Sequence, residues 1–380
     1  MNKKLYEKAQ TLSQKFIIVD THIDIPARLS LEMEDISKGT AKGEFDYPRA
    51  KKGGLNAAFM AIYTPAEYEE KGGAKAYADS LIDMVEKFTM DWPDQFAIAK
   101  SITDIKAQFP KGLISLPMGM ENGTPIERKL ENLIHFYNRG IRYITLTHSK
   151  SNHICDSSFD KERKWKGLSP FGEEVVVEMN RLGIMIDITH VSDNAFYQVI
   201  KLTRAPVIAS HSSCRHFTPG WERNMDDDMI QLLAKKGGTI QITFGSSFLD
   251  DEYRKRAEKA RVEFSRYFKE HNMDRFSEEG EVFIKQYRKE HNWTYADITD
   301  VVAHIDHVVQ LVGIDHVGLG SDFEGVGDSL PNGLKDVSYY PNLIYELLKK
   351  GYSEENIEKI CSGNFFRVWS EVEKIPNRFV

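Results

Sequence analysis

Seven ionisable side chains follow short apolar, β-branched runs of the sequence, and their types are those of metal ligands and acid–base groups. Imidazole nitrogens and carboxylate oxygens bind zinc-type cations at about 2.0–2.2 Å, and imidazole also exchanges protons near neutral pH. Because we interpret each run as a strand, each of these side chains is expected at or near a strand's carboxyl end. They are His22, Asp24, Glu121, His148, His190, His211 and Asp322.

His22 and Asp24 form a His-x-Asp pair, and residues two apart on an extended segment point to the same side. Such a pair can hold one divalent cation, although a buried, hydrogen-bonded pair gives the same pattern. His190 in IDITHVSD and His211 in IASHSS follow consecutive strands and can hold a second cation. A single histidine on an apolar strand is often a core residue, but the convergence of both pairs on strand ends favours metal binding.

Glu121 in GMENG is the natural bridge between two such cations, because a carboxylate can give one oxygen to each. Two cations about 3.5–4 Å apart also need negative charge between them, since their repulsion at that distance is large. The alternative is a carboxylate that interacts with the N-terminus of a helix ahead of Thr124 and Pro125.

The runs that carry these residues alternate with helix-length amphipathic segments. Continuous apolar character, without strict alternation, is typical of parallel strands buried on both faces. Eight strands that alternate with helices predict an α/β fold, a (β/α)8 TIM barrel, in which all the strand ends meet at one face. The predicted strands are Phe16–Asp20, Ala57–Tyr63, Leu113–Met118, Ile141–Thr147, Ile184–Thr189, Pro206–Ser210, Thr239–Phe244 and Val317–Ser321. The predicted helices include Ile126–Arg139, Phe171–Leu182 and Asp226–Lys236, the last with Asn224 as its N-cap.

The segment between the seventh and eighth predicted strands is long. Ser246–His291 is highly charged and has helical periodicity, which predicts a solvated helical insertion. The more specific alternative is that this segment forms a lid over the barrel mouth. Because no Pro/Ser linker divides the chain, residues 1–380 are predicted to form one barrel domain that includes the helical excursion at 246–291.

The composition excludes several other classes of protein. Of 380 residues, 50 are Lys or Arg and 57 are Asp or Glu, so the formal net charge is −7 and no basic excess predicts nucleic-acid binding. Three cysteines are too few for a disulfide framework, and no run of about 18 apolar residues predicts a membrane span. These features are typical of a cytoplasmic enzyme. A periplasmic or exported protein whose N-terminus has been trimmed would share them.

Taken together, eight motifs resemble those of the membrane dipeptidase (renal dipeptidase) family of zinc metallopeptidases. The resemblance extends from about Phe16 to Trp369, and the motifs occur in the family's order. It implies an amidohydrolase-like barrel. The motifs are VDTHIDIP, MGMENGTPI, YITLTHSKSN, GIMIDITHVSD, PVIASHSSCR, ERNMDDD, HIDHVVQLVGIDHVGLGSDFEGV and SGNFFRVW.

The resemblance implies two zinc ions per chain. His22 and Asp24 match the family's ligands of one ion, and His190 and His211 match the ligands of the other. Glu121 matches the carboxylate that bridges both ions together with a water or hydroxide.

The resemblance also implies how the substrate is held. His148 matches the histidine that contacts the substrate near the scissile carbonyl, and Asp322 matches the aspartate beside the bridging water. Arg223 in ERNMDDD matches the arginine that holds the substrate's carboxylate. From the residues alone Arg223 looks like an ordinary solvent-facing loop arginine.

The function that follows is hydrolysis of the amide bond of dipeptides with a free C-terminal carboxylate, including pairs with a D-residue second. The alternative is a metal-dependent amidohydrolase that acts on N-acyl amino acids or on a related amide or lactone. Lys150 lies where the mammalian members are expected to have a loop cysteine, and the C-terminal EVEKIPNRFV has no hydrophobic tail. A membrane anchor is therefore not expected, whereas a homodimer remains compatible with the resemblance.

Other polar residues near the motifs are predicted to be structural. Asp187 and Thr189 flank His190 and are expected to orient it. Asp193 is expected to cap the next helix, and His304 and His307 on a later helix are expected to have packing or surface roles.

Overall fold

The computed structural model describes residues 2–274 and 277–375, in which ten strands form one parallel sheet. The strands are β1 (Ile18–Ile23), β2 (Leu55–Tyr63), β3 (Phe96–Ile98), β4 (Ile114–Leu116), β5 (Met118–Glu121), β6 (Ile141–Thr145), β7 (Met185–Asp187), β8 (Ile208–Ser212), β9 (Thr239–Ile242) and β10 (Val317–Leu319).

Helices follow most of the strands. The α-helices are α1 (Lys3–Lys15), α2 (Ile25–Leu31), α3 (Tyr47–Gly53), α4 (Tyr68–Lys71), α5 (Ala74–Asp91), α6 (Ile102–Gln108), α7 (Glu131–Arg139), α8 (Pro170–Leu182), α9 (Asp193–Leu202), α10 (Asp227–Lys235), α11 (Ser246–Leu249), α12 (Asp251–Glu270), α13 (Glu278–Glu290), α14 (Ile298–Val312), α15 (Tyr340–Lys350), α16 (Glu354–Glu358) and α17 (Asn364–Glu373).

Eight of the strands close into a barrel, as predicted. β1, β2, β5, β6, β7, β8, β9 and β10 are parallel neighbours in this order. The ring closes between β1 and the segment after β10, where the N–H of Asp24 donates to the carbonyl of Phe323 (2.9 Å) and the N–H of Asp322 donates to the carbonyl of His22 (3.1 Å). Every residue of β1, β5, β6, β8 and β9 is buried, in agreement with their continuous apolar character.

A buried carboxylate strengthens this closure. Asp20 in β1 accepts hydrogen bonds from the N–H of Ser321 (2.9 Å), which follows β10, and from the hydroxyl of Tyr340 at the start of α15. Burial raises the pKa of this carboxyl group although the hydrogen bonds from Ser321 and Tyr340 act in the opposite direction. A side chain as well as backbone groups therefore joins the first barrel strand to the last.

The predicted strand Leu113–Met118 is two strands in the structure. Pro117 separates β4 from β5, because it has no N–H to donate to the ladder, while its carbonyl accepts a hydrogen bond from the N–H of Met60 (2.8 Å). β5 continues the barrel and ends at Glu121. β4 instead pairs with β2 and with β3, a strand that the sequence did not predict.

The predicted helix Ile126–Arg139 is shorter in the structure. α7 begins only at Glu131, because Glu127 and Arg128 have positive φ angles of 50° and 57° that interrupt a right-handed helix. The predicted helix Phe171–Leu182 corresponds to α8.

Two predictions of helix caps are wrong. α10 is capped by Asp226, whose carboxylate accepts from a backbone N–H in its first turn, and not by Asn224, whose amide donates to Thr218 (2.8 Å). α9 is capped by Ser192, and Asp193 is the first residue inside the helix. In both cases the cap is the polar residue that still has extended backbone just before the helix.

The described residues of the charged segment Ser246–His291 form the helices α11, α12 and α13, in agreement with the predicted helical character. α12 and α13 pack together through aromatic side chains: Tyr267 stacks on Phe283 with ring centroids 3.7 Å apart, and Phe264 meets Tyr287 edge-on at 4.9 Å. None of the helices within residues 2–274 and 277–375 is long and apolar enough to cross a bilayer.

Gly320, just after β10, lies where the barrel leaves no room for a side chain. A Cβ at this position would stand 1.9 Å from the carbonyl oxygen of Ser210 and 2.7 Å from the hydroxyl of Thr21. The first group belongs to β8 and the second to β1, and the hydroxyl of Thr21 itself donates to the Ser210 carbonyl (2.6 Å). A glycine is therefore required at this position.

We expect Gly320→Ala to lower the free energy of unfolding by about 1–3 kcal/mol, the usual cost of overpacking a filled core. Gly39→Ala is the matched control, because Gly39 is exposed and a Cβ there meets nothing within 4 Å. Urea unfolding followed by fluorescence would measure both variants. Equal unfolding midpoints for the two would contradict this account of the barrel closure.

Candidate metal centre

Glu121 lies at the centre of the candidate site, at the end of β5, and its two carboxylate oxygens face different side chains. Oε1 lies 3.1 Å from Nε2 of His190 and 3.2 Å from Nε2 of His211. Oε2 lies 3.6 Å from Nε2 of His22. Because the side chain is only 5% exposed, these imidazoles, and not water, form most of its surroundings.

The first group of ligand atoms combines Glu121 with the His-x-Asp pair. Nε2 of His22 lies 3.4 Å from Oδ2 of Asp24, so both side chains point into the same space, as predicted. The ligand atoms of His22, Asp24 and Glu121 all lie within 4.8 Å of one another. The register of β1 against β2 shifts between Asp20 and Ile23, which places this irregularity at the ligands.

The second group is made by the two later histidines. Nε2 of His190 and Nε2 of His211 face each other at 3.0 Å, although His211 lies inside β8 and His190 lies three residues beyond β7. His190 has a positive φ of 70°, a conformation that costs a non-glycine residue free energy. This turn brings the ring of His190 back over the barrel mouth.

A hydroxyl on β6 determines which nitrogen of His22 faces the centre. The hydroxyl of Tyr143 donates to the carbonyl of Thr21 (2.9 Å) and lies 2.9 Å from Nδ1 of His22. Since its single proton is used on Thr21, its oxygen accepts from Nδ1–H of His22. The lone pair of Nε2 is therefore directed at Asp24 and Glu121, and Nε2 has no hydrogen-bond partner among the described residues.

Ser210 has the same function for His211. Its hydroxyl donates to Asp187 (2.6 Å) and lies 2.9 Å from Nδ1 of His211, so it accepts the Nδ1 proton and leaves the Nε2 lone pair free. Asp187 is held in turn by Thr189, whose hydroxyl lies 2.7 Å away. The expectation that Asp187 and Thr189 orient His190 is wrong, because their hydrogen bonds lead to His211.

These residues fit a divalent cation of the zinc type. Two imidazole lone pairs that face each other across 3.0 Å repel unless a proton or a cation lies between them. Burial holds the pKa of His190 and of His211 well below the usual range, so both rings are neutral, as metal ligands must be. The pKa of Glu121 is also well below its usual range: burial opposes this, but the neighbouring His148 and His22 and the hydrogen bonds with His190 and His211 outweigh it.

Asp322 lies beside the first group of ligands. Its carboxylate, with His22 and His211, forms another set of ligand atoms within 4.8 Å. Burial and the charge of Asp24 raise its pKa well above the usual range, an effect that a bound cation would oppose. The backbone of Gly325 makes this approach possible, since a Cβ there would lie 2.3 Å from both carboxylates.

His148 borders the same space from the side of β6. Its Nε2 lies 3.7 Å from Oε1 of Glu121, and its ring meets the ring of Tyr63 edge-on at 4.8 Å. Burial lowers the pKa of His148, so the ring is neutral and can donate one hydrogen bond.

Arg223 is buried beside His190 and His211 and is not the solvent-facing loop arginine that its residue type suggests. Its Nη2 donates to the carbonyl of His211 (2.9 Å), and its guanidinium stacks on Phe248 at 4.9 Å. Nε and Nη1 are buried and have no hydrogen-bond partner among the described residues. Burial lowers its pKa to about 10, so Arg223 remains a cation at neutral pH with unsatisfied donors.

A cavity of about 810 Å³ opens above these residues. Asp24, Glu121, His148, His190, His211 and Asp322 lie on its inner wall. One face of α12, from the charged insertion, lines its outer part, so this helix contributes to the cavity and is not solvated on all sides. Its use as a movable lid stays a prediction.

A further group with metal-ligand geometry lies outside this cavity. His216, Asp227 and His307 bring their ligand atoms within 4.8 Å, with Nε2 of His307 2.7 Å from Asp227. His304 is fully buried and lies 3.1 Å from the carbonyl of Leu249, in agreement with a packing role.

Comparisons with known proteins give matches along almost the whole chain. The family model for membrane dipeptidases, peptidase family M19, matches residues 6–379. Dipeptidase 3 of Mus musculus is 28% identical over 384 aligned residues, which cover 99% of this chain and 68% of that protein. The crystal structure of the probable dipeptidase PvdM from Pseudomonas aeruginosa has a TM-score of 0.84 at 28% identity and covers 99% of this chain and 100% of that chain.

A metallopeptidase structure from Rhodobacter sphaeroides, solved with a phosphinate mimic of the dipeptide L-Ala-D-Ala, has a TM-score of 0.76. It is 23% identical and covers 94% of this chain and 99% of that chain. At this identity the likeness shows a shared fold.

We expect Tyr143→Phe to weaken metal binding by about 10–100-fold, the usual effect of removing a hydrogen bond behind a metal-bound histidine. Ser210→Ala, which removes the hydroxyl behind His211, should weaken metal binding in the same way. Competition with a chromophoric chelator would measure both affinities. Tyr352→Phe is the matched control, because that hydroxyl bonds to Asp306 outside the cavity. Unchanged affinity in Tyr143→Phe would contradict a role for His22 as a ligand held in this way.

Proposed function

Because the chain belongs to the membrane dipeptidase family, peptidase family M19, and is therefore a metal-dependent peptidase, we propose that it hydrolyses dipeptides with a free C-terminal carboxylate by means of two zinc ions. In this proposal His22 and Asp24 hold one ion, His190 and His211 hold the other, and Glu121 bridges them.

The placement of the two oxygens of Glu121 is the observation that carries the proposal. Oε1 faces His190 and His211, whereas Oε2 faces His22, whose neighbour Asp24 belongs to the same group of ligand atoms. One carboxylate therefore serves two groups of ligands. Two cations about 3.5–4 Å apart need such a shared anion to offset their repulsion.

The choice of zinc follows from the donors. Three imidazoles and two carboxylates form a mixed nitrogen and oxygen set, which suits zinc and related transition metals better than calcium or magnesium. The buried and unpartnered Nε2 of His22 supports a resident ion and not a transient one.

When bound, the two ions would polarise the scissile carbonyl and lower the pKa of a water molecule between them. His148 donates a hydrogen bond to the carbonyl oxygen as negative charge develops there, and such donors are worth about 2.7–4 kcal/mol. Asp322 accepts the proton of the attacking water and returns it to the amine nitrogen as the C–N bond breaks.

Arg223 is assigned to the C-terminal carboxylate of the substrate. Nε and Nη1 have N–H groups that are free to donate to a carboxylate oxygen, and a buried cation gains most from an anionic partner. This pairing favours dipeptides over longer peptides, because an additional residue moves the carboxylate away from Arg223.

The decisive test is a panel of substrates for the zinc-loaded protein. Free dipeptides, both L–L and L–D pairs, should be cleaved, and the C-terminal amide of the same dipeptide should lose most of its kcat/KM because it lacks the carboxylate. Zinc content measured by elemental analysis should reach two per chain, and a chelator should abolish turnover. Fewer than two ions at saturating zinc would contradict the binuclear site. Cleavage of N-acyl amino acids without any dipeptide hydrolysis would favour the alternative amidohydrolase function.

Asp322→Asn should reduce kcat by at least about 100-fold, because the amide cannot accept and return the proton. Zinc content should remain at the wild-type value. Asp328→Asn is the matched control, since Asp328 is exposed and pairs with Arg288 outside the catalytic group. Loss of zinc together with turnover would instead make Asp322 a metal ligand.

A further inference from the structure

One face of α12 forms the outer wall of the cavity above the catalytic residues. Its lining residues recur every three or four positions, as one face of a helix requires, and include Tyr253, Ala257, Ala260, Phe264 and Phe268. Fifteen residues separate the first of these from the last, so the lined face is about 22 Å long at 1.5 Å per residue.

This wall is much longer than the backbone of a dipeptide. Two extended residues span at most about 7 Å. The cavity volume of about 810 Å³ also lies in the upper part of the range of about 300–1,000 Å³ that holds drug-sized ligands. A dipeptide with two small side chains would therefore leave most of the space along α12 empty.

The lining of this outer space is apolar and aromatic. Phe264 and Phe268 of α12 face the same cavity as Phe248, Trp221 and Trp293. Such a wall contributes to binding when an apolar group displaces water from it.

Ion pairs neutralise part of the charge in the outer cavity lining. Arg28 pairs with Glu34 and Glu324, and Arg288 pairs with Asp328. Arg261, which also lines the cavity, has no ion pair with any residue in 2–274 or 277–375.

A chain of contacts connects this wall to the residue that holds the substrate's carboxylate. The guanidinium of Arg223 stacks on Phe248, and Phe248 contacts Trp221 with ring centroids 5.2 Å apart. Trp221 in turn lies under the guanidinium of Arg254 of α12 at 5.6 Å. The side chain of the C-terminal residue branches from the carbon that carries this carboxylate, so it is the substituent nearest to the wall.

From these contacts we infer that the face of α12, with Phe248 and Trp221, is a subsite for the side chain of the C-terminal residue and selects dipeptides in which that side chain is bulky and apolar. This inference rests on the proposed function, which supplies the dipeptide and the position of its carboxylate. The inference adds to the proposed function the class of dipeptide that is preferred, and it assigns this selection to a helix outside the barrel.

The zinc-loaded enzyme should show a kcat/KM at least about tenfold higher for L-Ala-L-Phe and L-Ala-L-Leu than for L-Ala-Gly, since even one methylene in an apolar pocket is worth about 10–200-fold. Ala257→Trp fills the outer space and should lower the ratio of kcat/KM for L-Ala-L-Phe to kcat/KM for L-Ala-Gly at least fivefold. Val262→Trp is the matched control on the same helix, because Val262 is 61% exposed and does not line the cavity, so the ratio should stay at its wild-type value. Phe264→Ser, which keeps the space open but removes apolar contact, should lower the ratio in the same direction as Ala257→Trp.

Three results would overturn the inference. Equal kcat/KM for all the C-terminal residues would show that α12 selects nothing. A higher value for L-Ala-L-Glu than for L-Ala-L-Leu would show selection of an acidic side chain, with Arg261 as its partner. Loss of L-Phe-Gly cleavage, with L-Ala-L-Phe unaffected in Ala257→Trp, would place the N-terminal residue at this wall. Each of these results requires measurable dipeptide cleavage, whereas failure of the proposed function would appear as no cleavage of any dipeptide by the zinc-loaded protein.

Discussion

A carboxylate buried among imidazoles is the constraint on which the rest of the site depends. Glu121 is almost completely buried, and a charge in such a place is costly unless it is paired. The structure surrounds it with His22, His190 and His211, two of which are neutral because burial lowers their pKa. The two neutral imidazoles of His190 and His211 do not balance the carboxylate, and a cation bound between them would complete the arrangement. Tyr143 and Ser210 orient His22 and His211 for this role, because each hydroxyl accepts a hydrogen bond from Nδ1 and turns Nε2 toward the centre.

Strained backbone accompanies this arrangement. His190, Asp322 and Glu324 have positive φ angles of 70°, 62° and 70°, each of which costs a non-glycine residue about 1–3 kcal/mol. Hydrogen bonds to the surrounding structure hold two of these residues in place: the carbonyl of His190 accepts from Ser158 (2.8 Å), and the N–H of Asp322 donates to His22. A closed barrel of buried strands is rigid enough to keep such conformations, which a free loop would lose.

The positions of the candidate ligands could be predicted from the sequence, because one rule determines them: the carboxyl ends of parallel strands meet at one face of a barrel. The residues that orient the histidines from behind could not be predicted from the sequence. Tyr143 and Ser210 look like ordinary strand residues, and their function depends on which atom of a neighbouring strand lies opposite them. The burial of Arg223 depends in the same way on Phe248, which approaches from α11. The wrong helix caps have a local cause, since Ser192 and Asp193 are both good caps and only the point at which the backbone leaves its extended conformation decides between them.

The closure of the barrel between its first and last strands has a consequence for the synthesis of the protein. Asp20 and His22 are made early, whereas Ser321, Asp322 and Tyr340, their partners across the seam, are made some three hundred residues later. During translation the polar groups of these early residues, which the finished barrel buries, therefore have no partners until nearly the whole chain has left the ribosome. A nascent chain cannot assemble the complete site, and a metal ion that it bound before release would meet only part of the candidate set of ligands.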